Sequence, residues 1–100
     1  MMYRYVITLG ELKKLQEKGN VRLVDVRESE SYRRGHIPGA VSVPYSEVQS
    51  FAEKFLKTET IVFCCDRGNL STRATMRMRK EGYSAYSLAG GYEGYRRFQK

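Results

Sequence analysis

Apolar positions along this chain follow two rhythms that alternate from one end to the other. The first is continuous. Tyr5, Val6 and Ile7 form a short β-prone run, read as an edge strand. Residues 21–26 are almost wholly apolar, as expected of a strand buried on both faces of a parallel sheet. Val41 and Val43 mark a brief strand that Pro44 ends. Ile61, Val62 and Phe63 lead into Cys64 and Cys65, and residues 85–88 form a last strand broken by Gly90 and Gly91. The second rhythm is helical. Thr8 with Glu11 makes a capping box, and Leu9, Leu12 and Leu15 recur on one face until Gly19. Residues 28–34 are polar and predict a short helix or turn closed by Gly35. Ser46 is placed to cap a helix with Val48, Phe51, Ala52 and Phe55 inward. Ser71 is read as the N-cap of a helix over residues 71–81, with Ala74 and Met78 on its inner face and Gly82 as its stop. Residues 92–98 predict a C-terminal helix.

Strands alternating with helices at this spacing imply an α/β fold with a parallel sheet covered on both faces. One hundred residues suit one domain spanning 1–100, and the chain shows no repeat, linker or low-complexity tract. In such sheets ligands bind at the carboxyl ends of strands. Cys65 is expected at such an end, followed by a short polar loop and then a helix start. Free backbone N–H groups at a helix start stabilise negative charge, so the arrangement can activate sulfur as a nucleophile.

Composition narrows the chemistry. With 41% hydrophobic and 29% charged residues the chain is ordinary folding material. No apolar run approaches the roughly 20 residues of a membrane span, and the N-terminal apolar stretch is too short for a secretory signal. A cytoplasmic location is the default expectation. Adjacent cysteines rarely bridge each other, and with one histidine and no third cysteine a zinc site lacks soft ligands. Thiol chemistry without metal or organic cofactor is therefore expected. A net charge of +7 favours acidic partners or anionic substrates. Arg79, Lys80, Arg96, Arg97 and Lys100 contribute to it, but the eight tyrosines bring no recognised RNA-binding signature, so nucleic acid is disfavoured.

Four segments carry a family resemblance: Leu23-Val24-Asp25-Val26-Arg27, His36-Ile37-Pro38-Gly39-Ala40, the loop Cys65-Asp66-Arg67-Gly68-Asn69-Leu70-Ser71, and Leu88-Ala89-Gly90-Gly91-Tyr92. In this order and spacing the chain resembles a single-domain rhodanese, a thiosulfate or persulfide sulfurtransferase, over nearly its whole length. The resemblance implies a rhodanese-like, five-stranded, mostly parallel sheet flanked by helices on both faces. It also implies double displacement, in which Cys65 takes a sulfane sulfur from a donor and passes it to a thiophilic acceptor. A free thiol is mostly protonated at neutral pH. The implied substrate-binding loop of Asp66, Arg67, Gly68, Asn69, Leu70 and Ser71 would hold the thiolate, and then the terminal sulfur, with its N–H groups. Related phosphatases and arsenate reductases place an arginine six positions after the cysteine, where this chain has Ser71, which argues against phosphate chemistry. Arg67 is the only cation in the loop. Asp66 offsets it where many rhodaneses carry arginine, which favours a protein or low-molecular-weight persulfide donor over doubly charged thiosulfate. Partners are thus small sulfur donors and acceptors, or an acidic sulfur-relay protein.

Other residues divide between chemistry and architecture. Cys64 can be a resolving thiol, but strand alternation points it away from Cys65 and makes it a core residue. His36 and Gly39 belong to a structural turn, and Asp25 with Arg27 to an ion pair that orders a strand end. Arg73 and Arg77 share a helix face, where they either steer anionic donors or are simply solvated. Two rivals stand beside the enzyme reading: a non-enzymatic sulfur carrier or regulatory module of the same fold, and an oxidation-sensing Cys64/Cys65 pair.

Overall fold

The computed structural model describes residues 5–55 and 57–98. Lys100 and Tyr3, counted above among the cations and tyrosines, lie outside that range. The elements run β1 (Val6–Ile7), α1 (Leu9–Lys18), β2 (Val21–Asp25), α2 (Ser29–Arg34), β3 (Val41–Ser42), a 3₁₀ turn (Tyr45–Glu47), α3 (Val48–Ala52), β4 (Thr60–Cys64), α4 (Asn69–Lys80), β5 (Ser84–Leu88) and α5 (Gly91–Phe98). Five strands form one sheet in the order β1-β5-β4-β2-β3, and every pairing is parallel.

Side-chain alternation along β4 divides the core into two layers. Ile61, Phe63 and Cys65 face one side with Val24, Val48, Ala52, Ala74 and Met78, beneath α3 and α4. Val62 and Cys64 face the other with Leu12, Leu23, Ile37 and Leu88, beneath α1 and the tyrosines of α5. The sheet is therefore flanked on both faces, as expected. Burial of β4 on both sides explains its unbroken apolar sequence.

Local chemistry sets most boundaries. At α1, the Thr8 side chain accepts from Glu11 N at 3.1 Å and Glu11 Oε1 accepts from Thr8 N at 2.8 Å, the reciprocal box the sequence predicts. Such a cap contributes about 1 kcal/mol. Two helix starts differ from expectation. Ser46 caps nothing: it lies inside the 3₁₀ turn after Pro44, and α3 begins at Val48 without a side-chain cap. Likewise α4 begins at Asn69, two residues before Ser71. Gly68 is the N-cap, in the left-handed region with φ +117°, and makes no side-chain hydrogen bond. A glycine reaches that conformation without steric cost, so the chain turns into the helix earlier than a serine-capping rule expects. Ser71 is freed for a buried role in the first turn.

Candidate active site

Cys65 follows the last residue of β4, at the carboxyl edge of the central strand, and is 4% exposed. Its sulfur sits inside the first turn of α4. Gly68 N donates to Sγ at 3.1 Å and Ser71 N at 3.3 Å, and the thiol donates to Ser71 Oγ at 3.4 Å. These N–H groups belong to the loop and helix start, where no intrahelical carbonyl competes for them. Together with the positive end of the helix they favour a sulfur that carries negative charge.

Ser71 is fully buried and fixed from behind. Its hydroxyl donates to Gly68 O at 3.2 Å and pairs with Ser87 Oγ on β5 at 2.7 Å, while Thr72 Oγ1 donates to Ser87 Oγ at 3.4 Å. Ser87 carries only a weak mark in the sequence. The signal was a serine two residues after buried Ala85, on a strand position facing α4, where an apolar residue would be the default.

A second helix start holds the outer side of the loop. Tyr92 N at 2.7 Å and Glu93 N at 3.0 Å, from the first turn of α5, donate to the carbonyls of Cys65 and Asp66. These bonds tie both carbonyls to α5. Gly91 permits the approach, because a Cβ there would collide with both carbonyls.

Asp25 and Arg27 form the buried pair the sequence predicts. Arg27 Nη2 donates to Asp25 Oδ2 at 2.7 Å and Nε to Oδ1 at 3.0 Å, and Asp25 is fully buried. The guanidinium also donates to Gly35 O at 2.7 Å and lies over the Tyr92 ring at 4.5 Å. Its hydrogen bond to Asp25 raises its pKa further above the usual range, so it is a permanent cation. Beyond this structural part, Nη1 reaches Asp66 Oδ1 at 3.4 Å, linking the strand end to the loop.

Above Cys65 opens a cavity of about 590 Å³. Of the loop residues, Asp66, Arg67, Asn69 and Leu70 line it, and Arg27, Glu28, Ser31 and Glu93 complete it. Nothing in the sequence marks Glu28, Ser31 or Glu93, since a polar surface residue carries no sign of which cavity it will border. Arg73 and Arg77 do not line it. Both are exposed on α4, Arg73 over the Tyr45 ring at 5.7 Å. His36 is also away from it, stacked on Tyr32 at 3.8 Å with Nδ1 2.9 Å from Tyr32 O. Gly39 lies in the adjoining turn, which Ala40 N closes by donating to Ile37 O at 3.0 Å. Cys64 is fully buried in the opposite layer of the core, and burial followed by the charge of Asp25 pushes its thiol far above the usual range. Among the described residues no group of three or more His, Cys, Asp or Glu is placed to hold a metal ion, and no helix is long and apolar enough to cross a membrane.

The model of the rhodanese-like domain matches residues 8–98. The chain belongs to this family. Its relatives carry sulfur-transfer names. The chain is 38% identical to human thiosulfate:glutathione sulfurtransferase, with 86% of this chain and 88% of that protein covered. It is 41% identical over 66 residues to the tRNA sulfurtransferase of Pyrobaculum aerophilum, of which it spans only 14%. It is also 34% identical to a protein of Bacillus subtilis named as a sulfur carrier, of which it spans 38%. Among solved structures, the human single-domain sulfurtransferase superposes with a TM-score of 0.80 at 31% identity, covering 93% of this rhodanese-like domain and 96% of that chain.

Proposed function

We propose that this rhodanese-like domain is a sulfurtransferase in which Cys65 carries the sulfur as a persulfide. The observation that supports this most is the pair of N–H groups, from Gly68 and Ser71, that converge on Sγ beneath an open cavity. The Cys65 thiolate attacks the outer sulfur of a donor, thiosulfate or a persulfide. A new S–S bond forms at Sγ as the donor's own bond to that sulfur breaks, and the donor leaves with the electron pair as sulfite or a thiolate. An acceptor thiolate or cyanide then attacks the terminal sulfur and returns Cys65 to its thiolate. Residues 66–71 hold the terminal sulfur through backbone donors, and Arg67 adds a cation at the mouth. Ser71 occupies the position where phosphate chemistry needs an arginine, so the loop is suited to sulfur and not to a phosphoryl group.

A Cys65→Ser variant should keep the fold and lose both the one-sulfur mass gain and thiocyanate formation from cyanide. Substantial thiocyanate formation by that variant would sink the assignment. The similarity to a protein named as a sulfur carrier supports a second reading, in which the domain accepts sulfur and hands it to a docked partner without rapid turnover. Fast multiple turnover with small acceptors distinguishes the enzyme from the carrier.

A further inference from the structure

Charge around the mouth of the cavity runs against charge on the rest of the molecule. The chain carries a net +7. Yet the ionised side chains bordering the cavity are three carboxylates, Glu28, Asp66 and Glu93, against two guanidiniums, Arg27 and Arg67. Arg27 is already neutralised by its paired contacts with Asp25, which leaves Arg67 as the cation available to a ligand. Asp66 retains a 64% exposed side chain, with only a long 3.4 Å contact to Arg27. Glu93 is brought beside Asp66 because its backbone N–H donates to the Asp66 carbonyl, and its own ion pair with Arg96, at 3.4 Å, is solvent-exposed. Glu28 sits at the start of α2 without using its carboxylate as a cap.

Such a rim repels a dianion and offers charge-assisted hydrogen bonds to an ammonium group. Size points the same way. A cavity of about 590 Å³ is in the range that holds an organic metabolite and is far larger than a five-atom inorganic anion. We infer that the preferred sulfur donor is a small organic persulfide bearing an ammonium group, of the aminothiol class, and that Asp66 and Glu93 are the residues that select it. The inference rests on sulfur transfer at Cys65. In the transfer, Cys65 S⁻ attacks the outer sulfur of R–S–SH, a new S–S bond forms at Sγ as the donor's S–S bond breaks, and R–S⁻ departs with the electron pair. The proton remains on the new terminal sulfur or passes to water. Arg67 is placed to meet a carboxylate on the same donor.

The test compares how fast four donors load one sulfur onto Cys65, followed by intact mass: cysteine persulfide, cysteamine persulfide, 3-mercaptopropionate persulfide and thiosulfate. The two ammonium-bearing persulfides should load about tenfold faster than 3-mercaptopropionate persulfide, and faster still than thiosulfate. In the Asp66→Asn/Glu93→Gln double variant that preference should shrink to about twofold while thiosulfate loading rises. Equal loading by the wild type with and without the ammonium group overturns the inference, as does a preference unchanged in the double variant. Absence of loading from all four donors overturns the sulfur-transfer reading itself, and this inference with it.

Discussion

At the scale of single residues, the site depends on side chains that place the donors as much as on the sulfur. Ser71 shows this. Its N–H faces Cys65 Sγ, while its hydroxyl is locked between Gly68 O and Ser87 Oγ. In Ser71→Ala the backbone donor remains, but Ser87 loses its shortest partner inside the core. A buried polar group left short of hydrogen bonds costs roughly 1–3 kcal/mol. Denaturant unfolding should register that loss, and sulfur loading should slow about tenfold. A variant as stable and as fast as the wild type would remove Ser71 from the account. The sequence made Cys65 legible because a thiol between an apolar run and a polar loop is conspicuous. It made Ser71 legible as a residue of interest with the wrong role. A capping serine and a buried first-turn serine look alike until the glycine three positions earlier takes the turn. Ser87 was legible only as a serine where an apolar residue is the default, since its role depends on a partner on another element.

At the scale of elements, the loop lies between two helix starts that do opposite things. The first turn of α4 presents donors to sulfur, and the first turn of α5 pins the loop's carbonyls from outside. Gly91 is the point where this arrangement is most easily broken. Its φ is +56°, and a side chain would run into the carbonyls of Cys65 and Asp66. Gly91→Ala should lose about 2–4 kcal/mol of stability, and its sulfur loading per folded molecule should fall. Gly19→Ala is the matched control. It is also strained, with φ +84°, but nothing lies within 4 Å of its Cβ. If both variants load sulfur at the same rate per folded molecule, α5 does not position the loop. The alternation of strands and helices was readable because each element's apolar rhythm is local. The clasp between α5 and the loop joins segments far apart in sequence through backbone atoms, which leave no trace in residue type beyond the glycine.

At the scale of the whole molecule, the two-layered core gives the adjacent cysteines different fates. Cys64 belongs to the layer beneath α1 and α5, and its buried thiol keeps its proton well above the ordinary range. Below about pH 9 both folded and unfolded chains hold that proton and it contributes nothing to pH dependence. Above it the unfolded chain ionises while the folded one does not, so stability falls as pH rises, by up to about 1.4 kcal/mol per pH unit from this group. Cys64→Ala should be less stable at neutral pH, because it leaves a small cavity, yet the gap to the wild type should narrow between pH 9 and 10.5. Urea midpoints across that range supply the comparison, and parallel curves would mean that Cys64 is not shielded as the core implies.

The bonds from Tyr92 and Glu93 to the loop also bear on how the protein is made. A ribosome delivers Cys65 well before it delivers α5. Until then the carbonyls of Cys65 and Asp66 lack the two backbone donors that tie them to α5. A nascent chain stalled before residue 92 thus carries its thiol without the clasp that completes the cradle. The outer clasp of the loop is the last of its supports to be synthesised, with α5.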